Sequence, residues 1–389
     1  MSPNPPLAGL AGRAAEYDVA VVGLGIMGAS ALWRLAARGV RAVGLEQFEP
    51  GHDRGSSHGL SRIIRTAYFE GAGYVPLVRE AFRLWRTLEA ESGADLLTLT
   101  GALMLGPPTV PTVAGTLAAA RSSGLEHEVL DAVELRRRFP NFRPAPGEVA
   151  VYEPGAGVLR PTEAVLAALQ VAEALGATVL SGQAVTAIEE TDMGARITTG
   201  ETVLEAARVI IAAGPWLPFL LPRLAGAAQV ERQVQVWWRL SDPSLWPPAR
   251  TPVFMHESGG GVTHFGLPSQ DGRTVKLGRH HGGLRGVHPD TVDRSIGDAD
   301  LAPVRKFIGS QLRGLSDVVE HAGVCLYTNT PDGRFLVGAV PGSRRLSVIG
   351  GCSGHGFKFG PVLGEAAADL ALAGRTEQPV EAFAPARFG

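Results

Sequence analysis

Lysine is nearly absent from this 389-residue chain: of 36 basic residues only Lys276, Lys306 and Lys358 are lysines. Codon bias toward arginine accounts for the excess. In such a background a retained lysine still marks a place where a compact, tunable ammonium serves better than a planar, permanently charged guanidinium. Lys306 falls in a solvated helical stretch, LAPVRKFIGSQL, and is given no role. Cysteine is scarcer still. Cys325 and Cys352 are too few for a disulfide framework and lack ligand spacing, so no metal is expected. A net charge of −2 without basic runs argues against nucleic acid or an anionic membrane surface as partner. No apolar run approaches the roughly eighteen residues of a spanning helix. The opening MSPNPPLAGLAGRAAE has no charged segment followed by an apolar one, so residues 1–16 read as a flexible tail and not a signal peptide. A cytoplasmic location is the default expectation. What remains, 45% apolar and 19% charged, is ordinary globular composition with length for two or three domains' worth of core.

The densest signal lies between Tyr17 and Glu46. A short apolar run, Val19 to Val22, reads as a buried parallel strand. It enters Gly23-Leu24-Gly25-Ile26-Met27-Gly28, followed by an Ala/Leu-rich helical stretch to about Ala37. A second apolar strand, Ala42 to Leu45, ends at Glu46. Gly23 allows the tight turn, Gly25 lets backbone approach a pyrophosphate, and Gly28 lets the helix pack closely on the strand. The helix N-terminus offers free N–H groups to phosphates. Glu46, eighteen residues after Gly28, is placed for ribose hydroxyls. The motif calls for a dinucleotide and leaves NAD and FAD open.

Beyond it, helical patterns run from about Val75 to Ala90 and from Arg160 to Gly176, with strands around Val179, Val185–Ile188, Ile197 and Arg208–Ala213. Between Val230 and Trp238 the period changes: alternation with Glu231, Gln233 and Gln235 predicts a half-buried antiparallel strand. Strand-like runs follow at Pro252–Met255, Thr263–Leu267 and Thr274–Leu277. Leu346–Ile349 and a helix from about Pro361 to Ala373 close the chain. The pattern predicts a parallel-sheet domain assembled from discontinuous pieces and a separate antiparallel domain between them.

Five stretches carry a resemblance that covers the chain from Tyr17 onward: GLGIMG, GSSHGLSRIIRTAYFEG at 55–71, LPSQDGRTVKLGRHH at 267–281, CLYTNTPDGRF at 325–335 and SGHGFKFG at 353–360. The chain resembles the monomeric sarcosine oxidase and N-methyltryptophan oxidase group of FAD amine oxidases, within the D-amino-acid-oxidase-like superfamily. The resemblance implies an α/β fold. A Rossmann-like, glutathione-reductase-type FAD-binding domain would comprise 17–98, 158–226 and 322–389. A substrate domain of antiparallel sheet plus helices would comprise 99–157 and 227–321. It implies FAD held by Gly23, Gly25, Gly28, Glu46, Ser57, His58, Arg62, Gly354, Gly356 and Lys358, and joined covalently as an 8α-S-cysteinyl thioether to Cys325. Cys352 is read as a small structural residue.

By the same resemblance Lys276 stands on the flavin face where oxygen reacts, and a cation there favours the developing superoxide. Arg65 and Lys358 grip the substrate carboxylate, a bidentate fork and a point charge. That grip brings the amine into reacting position. Arg62 lies close to the ring, Glu70 is a nearby polar group, His280 orients the substrate and Tyr327 lines its pocket. His281 has no assigned role. Phe265 departs from the pattern, where tyrosine is common, which puts sarcosine itself in doubt as best substrate. The segment SLWPPARTPVFMHESGGGV is also unlike the family and would border the entrance.

The activity so implied is oxidation of a secondary amino acid, N-methyl or cyclic, to an imine. Oxygen would be reduced to hydrogen peroxide, and hydrolysis would release an aldehyde. The partners are then small molecules, the amino acid and O2, and the protein a monomer. Three rivals stay open: an oxidase of proline- or pipecolate-type imino acids, a flavin dehydrogenase with a non-oxygen acceptor, and an NAD-linked dehydrogenase on the same fingerprint.

Overall fold

The computed structural model describes residues 15–248 and 250–389; the tail expected at 1–16 lies almost wholly outside them. Tyr17–Val22 is the centre of the first sheet, pairing in parallel with Ala42–Leu45 on one side and Val203–Ile211 on the other. Ala42–Leu45 is flanked in parallel by Thr178–Leu180, and Val203–Ile211 by Leu346–Gly350. Such strands are buried on both faces, which explains the uninterrupted apolar runs. Antiparallel strands complete the sheet, Leu336–Ala339 against Leu346–Gly350 and Val185–Glu190 with Ala195–Thr199 against the start of Val203–Ile211. Helices Ile26–Ala36, Pro161–Ala174 and Gly360–Ala373 pack together over one face with Val75–Ser92.

The glycine fingerprint is a steric necessity. A Cβ at Gly28 would lie 1.8 Å from the Gly23 carbonyl oxygen, and Gly23 itself has φ 88°. The helix can sit this close to the strand only without side chains there.

The second sheet has eight strands, in the order Leu315–Asn329, Gln229–Leu240, Thr274–His280, Val262–Leu267, Val253–Ser258, Ala102–Gly106, Val149–Glu153, Glu128–Asp131. It is not purely antiparallel as expected: Val253–Ser258 and Ala102–Gly106 run parallel. These two come from segments 150 residues apart, so no hairpin constrains their direction. Helix Asp298–Gln311 covers one face through Val304 and Phe307, which join Trp238, Trp246 and Phe254 in the core. The other face looks toward the first sheet. A small antiparallel sheet, Arg62–Ile64, Gly157–Leu159 and Leu97–Leu99, links the two.

Residue 322 lies inside Leu315–Asn329, a strand wholly of the second sheet, while 98 and 157 lie inside strands of the small sheet. The strand around Val234 is longer than expected and is buried on both faces: Glu231, Gln233 and Gln235 are 0%, 5% and 4% exposed. Of this polar face Gln233 and Gln235 line an internal cavity, and Glu231 is buried against Gln233.

Candidate active site

A cavity of about 410 Å³ runs between the two sheets. One end is built by the fingerprint. Glu46, at the C-terminal edge of Ala42–Leu45, accepts from Leu24 N at 2.8 Å and Phe48 N at 3.1 Å, with His52 Nε2 3.3 Å away. Burial alone would raise this carboxyl, but His52 and the two backbone donors outweigh it and hold Glu46 below the usual range. Ser57 Oγ accepts from Ile26 N at 3.0 Å and so caps the helix start from a distant loop. Gln183, Gly214 and Trp216 complete this end.

At the middle, two cations converge on one carbonyl. Lys276 Nζ and Arg62 Nη1 both donate to Ser61 O, each at 2.9 Å. Arg62 also donates to Ser56 O at 3.0 Å and Gln235 Oε1 at 3.1 Å, and its Nη2 lies 3.9 Å from Cys325 Sγ. Lys276 is 3% exposed, and burial first, then Arg62, pushes its ammonium well below the ordinary lysine value. His58 is buried behind this group, outside the cavity lining, with no partner for Nε2. Burial and the charges of Arg62 and Lys276 push it down to about 3, so it is neutral at pH 7.

The far end is a polar cluster under an apolar wall. Arg65, 2% exposed, donates from Nη2 to both Glu70 oxygens, at 2.8 and 2.7 Å, and from Nη1 to Ala67 O at 3.0 Å. Burial would raise Glu70, but Arg65 and then His355 and Lys358 pull it to about 2. Lys358 Nζ donates to His355 O at 2.7 Å and Tyr68 OH at 3.2 Å. That leaves one of its three N–H donors for another acceptor. His280 Nδ1 lies 3.3 Å from Tyr327 OH, and burial, then His281, pushes His280 to about 3. Burial likewise raises the Tyr327 hydroxyl above its ordinary value. Met255, Phe265 and Leu267 form the apolar wall. The unusual segment at 244–262 is therefore partly strand, Val253–Ser258, and supplies Met255. Gly354 has φ 80° and lies against Tyr327, where a Cβ would be 2.4 Å from the ring; a Cβ on Gly356 would meet Cys352 Sγ at 2.6 Å.

All the residues singled out from the sequence line this one cavity except His58 and Gly28, and Gly28 acts from beneath Gly23. Sequence reasoning missed Gln233, Gln235, Tyr68 and His355. The first two were visible as the polar half of an alternation and were assigned to a half-buried strand.

The cavity holds a buried carboxylate at one end and, at its middle, buried Lys276 and half-buried Arg62 beside the Cys325 thiol, and Gln235 Nε2 is a buried donor without a partner. That donor set fits an extended dinucleotide whose second half is polar and flat. The family model described as FAD dependent oxidoreductase (DAO) matches residues 18–370.

The chain belongs to that family.

It is 40% identical over 376 residues to a monomeric sarcosine oxidase of Streptomyces avermitilis, spanning 96% of this chain and 98% of the relative. It is 34% identical over 374 residues to an N-methyl-L-tryptophan oxidase of Salmonella arizonae, at 96% and 99% coverage. Among solved structures, the open form of NikD, an amino acid oxidase essential for nikkomycin biosynthesis, aligns with TM-score 0.85 at 25% identity, covering 95% of this chain and 97% of that one. Membership of the family makes the chain an FAD-dependent oxidoreductase. No helix among the described residues is long and apolar enough to cross a membrane.

Proposed function

We propose that the protein is an FAD-dependent oxidase of secondary amino acids, N-methyl or cyclic. One observation carries the reading. A single cavity joins the fingerprint at Gly23–Gly28 to Lys276, Arg62, Cys325, Arg65, Lys358 and His280, groups drawn from four distant segments. The chemistry FAD supplies when bound is two-electron oxidation of the substrate C–N bond, with O2 as acceptor and hydrogen peroxide as product. Glu46 and Ser57 would hold its nucleotide half, and Arg62, Gly354, Gly356 and Lys358 its ring half, with His58 supporting Arg62 and Lys276 from behind.

Lys358 and Arg65 would bind the substrate carboxylate, Lys358 through its free N–H and Arg65 by leaving part of its Glu70 contact. His280, held neutral, would orient the amine by hydrogen bonding. Met255, Phe265 and Leu267 exclude water and favour an apolar substituent on the substrate. Hydrolysis of the imine product would release an aldehyde. Lys276 would supply positive charge where oxygen is reduced, a term worth roughly 10²–10³ in rate at comparable sites. Cys325, with Arg62 Nη2 3.9 Å from its Sγ, would carry the covalent flavin link.

The decisive test is anaerobic addition of N-methyl and cyclic amino acids to the yellow holoenzyme, with peroxide release measured in air. Bleaching by N-methyl substrates followed by peroxide formation is expected. Bleaching by proline or pipecolate alone would favour the cyclic reading, and bleaching without reoxidation in air would favour a dehydrogenase. Acid precipitation should leave the yellow colour with the protein; colour in the supernatant would rule out the Cys325 link.

A further inference from the structure

Glu231 belongs to no assigned site, yet it is the most completely enclosed carboxylate near the cavity, 0% exposed. Donors from three segments surround it. Gln233 Nε2 on its own strand is 2.6 Å away, and Asn329 Nδ2 at the end of Leu315–Asn329 is at 2.5 Å. Gly283 N, in the turn after Thr274–His280, is at 2.9 Å. His281 Nδ1 at 3.4 Å and Arg285 Nε at 3.5 Å, from that same turn, complete the shell.

Two of these segments carry the pair at the substrate end of the cavity. His280 immediately precedes His281. Tyr327 stands directly opposite Glu231 in strand register, two residues before Asn329. Residues opposite in register share a face, so Glu231 lies on the side of the sheet that bears Tyr327. The turn is also strained. His281 has φ 62°, a conformation that a residue other than glycine keeps only when its surroundings hold it there. The carboxylate touches the His281 side chain and the Gly283 N–H, on either side of Gly282.

We propose that Glu231 is a positioning residue: its carboxylate clamps the turn after His280 to the strand end after Tyr327, and thereby sets the spacing of the His280–Tyr327 pair. The inference rests on the proposed oxidation of a secondary amino acid. A carboxylate suits the task because it only accepts, with about four lone-pair directions for the donors around it. Glutamine has the same shape but turns an NH2 toward one of those donors, so Glu231→Gln either loses a contact or forces the Gln233 or Asn329 amide to turn over, which rearranges the clamp. A misplacement on the order of 1 Å at a reacting site costs about 10²-fold in rate.

The test compares wild-type holoenzyme, Glu231→Gln, and the control Glu320→Gln, which removes a surface pair with Arg239 at the other end of the same two strands. Anaerobic flavin bleaching gives the limiting reduction rate. The absorbance change on adding propionate gives a dissociation constant independent of turnover. Glu231→Gln, with flavin content and melting temperature recorded, is expected to lower the reduction rate roughly ten- to a hundredfold and to weaken propionate binding. Glu320→Gln is expected to match wild type. A Glu231→Gln enzyme that keeps the wild-type rate and dissociation constant, whatever its melting temperature, would overturn the proposal. If that variant does not fold, His281→Gly decides: it removes the imidazole while easing the backbone, and a lowered reduction rate supports the clamp whereas a wild-type rate overturns it. Failure of the functional reading shows separately, as a wild-type flavin that no secondary amino acid bleaches, and takes the inference with it.

Discussion

Lys358, 5% exposed, sits with its ammonium between Tyr68, His355 and the Arg65–Glu70 pair. Burial first, then the charge of Arg65, lowers it against the pull of Glu70, to about 7. The sign of the consequence is definite. Below pH 7 the group is a cation and binds a carboxylate; as pH rises through 7 it loses its proton and the attraction goes with it. Arg65 cannot produce this dependence, because its guanidinium stays protonated across the range. The dissociation constant of an amine-free carboxylate such as propionate, read from flavin absorbance, should therefore rise between pH 6 and 8, by about tenfold where the protonated lysine is required. In Lys358→Met it should be weak and flat. A flat wild-type profile would remove Lys358 from the carboxylate site.

Two helices from opposite ends of the chain, Ile26–Ala36 and Gly360–Ala373, cross with almost no space between them. A Cβ on Gly364 would lie 2.6 Å from the Ser30 carbonyl carbon and 2.7 Å from Ala31 N, and one on Gly360 would meet Ile26 Cγ1 at 2.6 Å. Backbone atoms cannot step aside as a side chain can. Gly364→Ala should thus push the helices apart and cost about 1–3 kcal/mol, as overpacked cores do. Because both helices begin at the cavity, thermal melting and the amount of flavin incorporated should fall together; a variant of unchanged stability that incorporates less flavin would contradict this coupling. The first helix was legible in the sequence because its signal is local: strand, glycines, helix and acid follow one another within 30 residues. The far half of the site was legible only through its family motifs. Strand Gln229–Leu240 shows what period alone leaves open. Alternation at Glu231, Gln233 and Gln235 reveals two faces, but whether the polar face meets water or a buried polar cavity depends on distant chain. The parallel pairing of Val253–Ser258 with Ala102–Gly106 was hidden for the same reason, since nothing near either strand records its partner's direction.

Among the described residues, four histidines are held as neutral rings, His58 and His264 buried and His280 and His355 half-buried. Burial, then neighbouring cations or histidines, puts His58 and His280 at about 3 and His264 at about 4. For His355 burial dominates over the opposing pull of Glu70, leaving it at about 4. They are spread over both halves of the fold, His264 and His280 on the second sheet and His58 and His355 in the loops that meet it. In the unfolded chain each titrates near 6.5, so on acidification the unfolded state takes up the protons first. The stability these rings allow is complete above pH 6.5 and is lost as pH falls toward 4, at up to about 1.4 kcal/mol per pH unit for each. Glu70 and Glu231, both at about 2, act in the same direction but only below their ordinary carboxyl range, beneath the window in which the histidines act. Melting temperature should therefore decline steeply between pH 6.5 and 5, before the carboxylates contribute. His264 isolates the effect, since it lies outside the cavity and stacks on Phe307 at 4.3 Å, where a phenyl ring can replace it. His264→Phe should flatten the decline by one histidine's share and leave carboxylate binding unchanged. A wild-type melting temperature that is level from pH 6.5 to 5, or a His264→Phe curve parallel to it, would show that these rings take up protons without unfolding the protein.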